Sequence, residues 1–332
     1  MSKFRIGTYN VQNLFDRFDD PYSTSDDRYY GRFSSSPKSR SKMFDIGMRI
    51  RENGVKPSTP IDIVGLQEIE NFGALLDFVQ ASVGPQYGAK TGVFSQPSND
   101  QRGIDLGVLV RSDLFRLGRV TSHRFKKFKR SDGETYQFGR DCLQVEVLFK
   151  ETKQLFLTAF ICHFKSKFTP VDRFSDPDGY AEEQRKNDLK RNAEAREVVR
   201  IIKNEVDVDE DLFVVLGDLN DTPKSAPLEP LLSNGDVDQQ GDGLALQNGV
   251  SLLHQDINSP SSESRRARDT HYWDKPINAS GETVSDWAQI DYILCSDRLW
   301  ELRTGVAGVD NSPRSQGSDH YLSYVEFEIP NV

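Results

Sequence analysis

Apolar residues gather in short runs of strand length, at 4–9 (FRIGTY), 61–66 (IDIVGL), 106–111 (LGVLVR), 143–149 (LQVEVLF), 155–162 (LFLTAFIC), 212–217 (LFVVLG), 290–295 (IDYILC) and 321–329 (YLSYVEFEI). LQVEVLF and YLSYVEFEI alternate apolar with polar positions, which predicts strands with one wet face. IDIVGL and LFVVLG are apolar almost throughout and predict strands covered on both faces. Between the runs the period changes to that of a helix. The clearest case is 181–205, where Leu189, Ala193, Val198, Val199, Ile201 and Ile202 oppose a long charged face. Shorter helices are predicted near 42–52, 72–83 and 226–232.

Strands and helices are interspersed along the whole length without a Pro/Gly/Ser linker at the midpoint. Residues 1–332 are therefore expected to form one domain of packed sheets with helices outside. Segments 19–41, 84–104, 119–140, 164–180 and 233–289 show neither period, and loops of such length often carry function. Hydrophobic residues make up 36%, with 20 Phe and 11 Tyr, enough for a large core and against global disorder. No window approaches the roughly 18 apolar residues that cross a bilayer, and residues 1–10 read as a strand rather than an export leader. Cys142, Cys162 and Cys295 lie in or beside strand runs without metal-ligand spacing, so reduced thiols filling the core and a cytoplasmic setting are expected. The sequence does not fix an oligomeric state, and a monomer is the favoured expectation. The net charge of −9 argues against coating nucleic acid by bulk positive charge but leaves room for local basic patches.

Polar residues sit at telling places relative to the strands. Asn10 ends the first, Glu68 follows IDIVGLQ, His163 follows LFLTAFIC, Asp218 and Asn220 follow LFVVLG, and Asp319 and His320 precede the last. Each alone has a plain structural explanation: Asn and Asp form turns, Glu favours a helix start, and histidine is often a hydrogen-bonded core residue. Together they place one polar group after another at strand ends, where a rigid sheet edge can converge them on a shared crevice.

At these positions the chain resembles the endonuclease/exonuclease/phosphatase superfamily with the DNase I-like fold. The motifs occur in the family's order as TYNVQN (8–13), GLQEIEN (65–71), CHFKSK (162–167), GDLND (217–221), QIDYIL (289–294) and SDH (318–320). The resemblance implies a four-layer α-β-β-α sandwich, two mixed β-sheets face to face with outer helices, and an active site at one end. It implies Glu68 as principal ligand of Mg²⁺ or Mn²⁺, assisted by Asn10 and Asp319 directly or through water. Such hard oxygen donors suit Mg²⁺, and no Cys/His cluster in the sequence competes for zinc. Asp218 resembles the residue that orients or deprotonates the attacking water. Asn220 and His163, with Asn10, resemble the groups that hydrogen-bond the phosphate's non-bridging oxygens. His320 resembles the acid/base histidine, with Asp291 holding its tautomer. Whether Asp218 or the histidine dyad takes the water's proton stays open at this level.

The implied reaction is in-line attack of water on a phosphate ester, leaving a 5′-phosphate as in the family's nucleases. Two departures narrow it. Many nucleases of the superfamily carry Lys two positions after the metal glutamate where this chain has Glu70, and some relatives carry Arg where it has Gln289. The local texture is more similar to a bacterial nuclease-like branch. Candidate nucleic-acid contacts are RFKKFKR (124–130), the loop RYYGRFSSSPKSRSK (28–42), and Arg265, Arg266 and Arg268 beside His271, Tyr272 and Trp273. Arg102, Arg140 and Lys165, next to motif positions, are candidate phosphate contacts, and Trp273 a candidate stacking residue. The expected substrate is DNA, or else RNA. The alternative is a small-molecule phosphatase or phospholipid phosphodiesterase of the inositol-phosphate or sphingomyelin type. A catalytically dead binding module is disfavoured because each signature position keeps its functional residue type.

Overall fold

The computed structural model describes residues 2–15, 37–52, 60–87, 92–100, 102–233, 243–253, 266–278, 280–310 and 317–329. Sixteen strands form among them: β1 (Lys3–Leu14), β2 (Ile63–Ile69), β3 (Val93–Gln96), β4 (Asp105–Val110), β5 (Phe115–Ser122), β6 (Lys127–Lys129), β7 (Thr135–Gln137), β8 (Cys142–Phe149), β9 (Leu155–His163), β10 (Phe213–Asp218), β11 (Gln247–Asn248), β12 (His271–Pro276), β13 (Thr283–Ala288), β14 (Asp291–Cys295), β15 (Arg303–Val309) and β16 (Ser323–Glu328). The α-helices are α1 (Pro37–Glu52), α2 (Phe72–Phe78), α3 (Pro177–Glu205), α4 (Glu229–Leu232) and α5 (Asp297–Glu301).

Two six-stranded sheets result, ordered β15-β16-β1-β2-β4-β3 and β11-β14-β10-β9-β8-β5. Both are mixed. Each contains one parallel pair, β1 with β2 and β9 with β10, flanked by antiparallel neighbours. Parallel strands bring their C-terminal ends to one edge, and the antiparallel strands beside them begin there. Asn10, Glu68, His163 and Asp218 therefore share an edge with Asp291 at the start of β14.

The sheets pack face to face through Ile6, Ile63, Val108, Val145, Ile161, Val214, Leu216, Ile293 and Val325, all essentially inaccessible. The opposite face of the first sheet, with Val64, Leu66 and Leu109, is covered by Ile46 and Ile50 of α1 and Leu75 and Phe78 of α2. The opposite face of the second, with Phe160, Phe213 and Val215, is covered by Val198, Val199, Ile201 and Ile202 of α3. This is the four-layer sandwich that the sequence implied. β10 shows why its run is apolar throughout: Phe213 and Val215 face α3 while Val214 and Leu216 face the other sheet.

Several local expectations need correction. Gln144 and Glu326, on the faces expected to be wet, are buried, 2% and 7% exposed. Each lies under partners: Gln144 donates to Glu205, and Glu326 accepts from Lys3 and Arg5. α3 begins at Pro177, four residues before the apolar period does, because Asp176 caps it by accepting from the Gly179 N–H and proline is tolerated in the first turn. The helix over 72–83 changes to a wider turn at Val79–Val83. Segments 119–140 and 233–289 contain the hairpins β6–β7 and β12–β13, missed because these strands are short or half exposed and lack clean alternation. Tyr29, Tyr30, Phe33 and Arg265 lie outside the described residues. No helix among the described residues is long and apolar enough to cross a membrane.

Candidate active site

The edge shared by the parallel strands gathers most of the polar residues singled out in the sequence. Asp218, at the last position of β10, is registered opposite His163 of β9 on one side and Asp291 of β14 on the other. Its Oδ2 accepts from Asn10 Nδ2 at 3.0 Å and lies 3.5 Å from His163 Nε2 and 3.7 Å from His320 Nε2. Its Oδ1 accepts from the Asn220 N–H at 2.9 Å. One carboxylate thus joins residues from both sheets.

Glu68 reaches this cluster through backbone geometry that a regular strand lacks. Its φ is +65°, and the pairing of β2 with β4 shifts register between Gln67 and Ile69. A bulge of this kind turns a side chain away from the alternation of the strand, and a left-handed non-glycine residue costs of order 1–3 kcal/mol. The carboxylate that results accepts from the Asn13 N–H at 3.0 Å and from Asn10 Nδ2 at 3.4 Å. Gln12, Asn13 and Asn220 also have positive φ, so four of the six such non-glycine residues described lie in or beside this cluster. Gly217 meets a different demand. Its φ is +148°, and a Cβ there would lie 1.9 Å from the Cys162 carbonyl oxygen. Only glycine lets β10 approach β9 closely enough to set Asp218 against His163.

On the other side, His320 Nδ1 and Asp291 Oδ2 are 2.9 Å apart, both residues buried. The loop carrying His320 is tied to β1 by Ser318, whose hydroxyl donates to the Asn10 carbonyl and accepts from the His320 N–H. Thr270 holds the other partner by accepting from the Ile290 and Asp291 N–H groups. Burial favours neutral His320, but the charges of Asp291, Asp218 and Asp319 outweigh it and push its pKa up to about 10. Burial, reinforced by Asp291, lifts Asp218 to about 7, with His320 and the Asn10 hydrogen bond opposing. His163 is held well below its ordinary value by burial and by the positive charges of Arg140 and Arg102, so it is neutral.

Asp319 belongs to this end of the site. Its Oδ1 is 3.9 Å from His320 Nε2 and its Oδ2 is 3.7 Å from His271 Nε2. Two groups of three ligating residues occur among the described residues, His271/Asp319/His320 and Asp218/Asp291/His320. Glu68 is in neither and joins them through Asn10 and Asp218. Four carboxylates converge here, and Asp291 Oδ1 and Asp319 Oδ1 are buried without a hydrogen-bond partner. Such an excess of buried negative oxygen fits a hard divalent cation.

The flanking candidates divide. Arg140 is buried, pairs with Asp100 at 2.8 Å and donates to the Phe164 carbonyl, which also accepts from Asn220 Nδ2. It supports the loop after β9 and places positive charge near His163. Arg102 forks onto Asp100 beside it. Lys165 Nζ donates to the Ser166 and Phe168 carbonyls of its own loop, and burial lowers its pKa to about 8. Trp273 stacks on His271 with ring centroids 5.2 Å apart.

The comparison with protein families joins this geometry to chemistry. Residues 5–264 match the model of the Endonuclease/Exonuclease/phosphatase family. The chain belongs to that family. Members of the endonuclease/exonuclease/phosphatase family are phosphoric ester hydrolases. No curated protein matches the chain in sequence. Solved structures of similar fold include D. rerio TDP2 complexed with a single-strand DNA product, 16% identical, with a TM-score of 0.57 over 99% of this chain and 100% of that one. The human Nocturnin catalytic domain is 13% identical, with a TM-score of 0.53 over 99% and 95%. A family protein from Bacteroides thetaiotaomicron is 14% identical, with a TM-score of 0.52 over 99% and 96%. Against the family's nuclease pattern, the departing residue Glu70 is buried, with its N–H donating to the Leu14 carbonyl, and Gln289 donates to Asn248.

His271 is the site residue whose place sequence reasoning did not find. It forms an isolated β-bridge with His320, and the two rings lie 4.3 Å apart. In the sequence it stands only among the candidate nucleic-acid contacts, inside segment 233–289, which shows no periodicity. Nothing in the local pattern announced its pairing with a residue 49 positions later.

Proposed function

We propose that the protein is a divalent-metal-dependent nuclease that hydrolyses a phosphodiester of DNA, or of RNA, by in-line attack of water and leaves a 5′-phosphate. The observation that carries this is the convergence of Asn10, His163 and His320 on one oxygen of Asp218, with Glu68 a single residue away. Glu68, Asn10 and Asp319 would hold Mg²⁺ or Mn²⁺. The bound ion would neutralise charge developing on the phosphate oxygens.

The chain's own residues supply the rest. Asp218, fixed by Asn10 and the Asn220 N–H, orients the attacking water and accepts its proton. Neutral His163 and the second amide hydrogen of Asn220 donate to the phosphate's non-bridging oxygens. His320, kept charged by Asp291, stabilises negative charge on the phosphate and gives its proton to the leaving oxygen. Among solved structures of similar fold, D. rerio TDP2 is seen with a DNA product, which supports nucleic acid as the substrate class.

The test is incubation with plasmid, single-stranded DNA, RNA and an inositol phosphate, in Mg²⁺, Mn²⁺ or EDTA. Nucleic acid is expected to be cut in a metal-dependent way with 5′-phosphate ends. Phosphate release from the inositol phosphate, with nucleic acid intact in every metal, would sink the proposal.

A further inference from the structure

A cleft of about 580 Å³ opens between residues 167–184 and the β12–β13 hairpin. That volume lies within the range of roughly 300–1,000 Å³ typical of sites for small organic groups. Its walls carry three aromatic rings, Phe174, Tyr180 and Trp273, and three cations, Lys167, Arg173 and Lys275. Asp172 also lines it, but its Oδ1 already accepts from the Phe174 and Ser175 N–H groups.

The cleft is connected to the catalytic cluster by a row of rings. Trp273 stacks on His271 with 23° between planes, and His271 in turn lies 4.3 Å from His320. One imidazole ring, that of His271, therefore separates Trp273 from His320. The cations differ in what they already hold. Lys167 is paired with Asp221 at 2.6 Å and Lys275 with Asp286 at 3.7 Å. Arg173 has no salt-bridge partner among the described residues; its guanidinium lies over the Phe174 ring at 4.5 Å, and its Nε is buried without a hydrogen-bond partner. An unpaired guanidinium beside aromatic faces is suited to a group that presents both an anion and a flat ring.

We propose that this cleft receives the nucleotide flanking the scissile phosphate, its base against Trp273 and its phosphate on Arg173, so that the preferred substrate is an unpaired strand. The proposal rests on the nuclease reading above and adds strandedness to it. A base within a duplex has both faces covered by its neighbours and cannot lie on a side chain without leaving the stack. Recognition through stacking and backbone charge tolerates every base, so little sequence preference is expected.

The test compares the Mg²⁺-loaded enzyme on a single-stranded oligonucleotide, on the same strand annealed to its complement, and on methyl 4-nitrophenyl phosphate, a diester with neither a flanking base nor a second phosphate. The single strand is expected to be cut at least about tenfold faster than the duplex. Trp273→Ala and Arg173→Ala are each expected to raise KM for the strand by about tenfold, a loss about tenfold greater than on the small diester. Arg173→Ala is also expected to reduce the salt dependence of strand binding by about 0.7 in slope. Equal cleavage of strand and duplex, or equal losses on strand and small diester in both variants, would overturn the proposal and leave the nuclease reading standing. Hydrolysis of the small diester with every oligonucleotide intact would remove the nuclease reading along with it.

Discussion

Asp218 and His320 lie 3.7 Å apart but take opposite roles in the proposed proton transfers, and they can be separated by the quality of the leaving group. Either Asp218→Asn or His320→Ala should lower kcat by about 10²–10⁴-fold on an oligonucleotide, in line with the usual worth of a positioned acid or base. On a 4-nitrophenyl ester, whose leaving group needs no proton, the His320→Ala loss should shrink while the Asp218→Asn loss persists. Equal losses on both substrates would reverse or merge the two roles. Glu68 gives a second expectation, because its φ of +65° is a conformation that glycine adopts without penalty. Glu68→Gly should abolish metal-dependent turnover without lowering Tm, since strain is released as the two hydrogen bonds of the carboxylate are lost. A fall of several degrees in Tm would show that the carboxylate stabilises the fold more than its backbone strains it. Each of these residues was visible in the sequence as a polar position at a strand end. His271 was not, because its role depends on a bridge to His320 rather than on its own neighbours in the chain.

Strand pairing makes its own demands. The Cβ of an alanine at position 217 would meet the Cys162 carbonyl, whereas at Gly133, with φ +87°, it would meet nothing within 4 Å. Gly133→Ala should therefore cost only the left-handed penalty of about 1–2 kcal/mol. Gly217→Ala should cost several times more by urea unfolding, because β10 must move off β9. Similar costs at the two positions would show that the contact can relax. Asp62, at the entry to β2, supplies a pH dependence far along the strand from the site. Burial lifts its carboxyl to about 6 despite Arg111 at 2.9 Å. The folded chain therefore keeps a proton that the unfolded chain loses near pH 4. The stability this brings is complete below about pH 4 and is lost as pH rises through 6. Relative to Asp62→Asn, the native protein should lose up to about 3 kcal/mol between pH 4 and 7, read from urea unfolding across that range. A constant difference between the two would refute it. Among the elements, the covered strands β2 and β10 were legible because burial on both faces leaves only apolar residues. The hairpin β12–β13 was not, because half-exposed strands carry no periodic signature.

For the molecule as a whole, two sheets joined at one edge hold four carboxylates that repel one another without a cation. Mg²⁺ should therefore stabilise the native protein, by about 2.7 kcal/mol at a hundredfold excess over Kd, and EDTA should both lower Tm and stop turnover. Glu68→Gln should weaken the thermal shift; an unchanged shift would place the ion among the other carboxylates and imidazoles. Eight of the strands and the polar positions at their ends were legible in the chain alone, because alternation and strand-end polarity are properties of nearest neighbours; the sandwich, and the choice of Asn10, Glu68, His163, Asp218, Asn220, Asp291, Asp319 and His320 as site residues, came from motif order and the family resemblance it carries. Tertiary structure decided what those signals could not: that Arg140 and Arg102 are bound to Asp100, that Lys165 is turned to its own loop, and that His271 and Trp273 line a path from His320 to a cationic cleft. A local pattern records whether a residue is buried, but which distant partner buries it depends on how the sheets and hairpins come together in space.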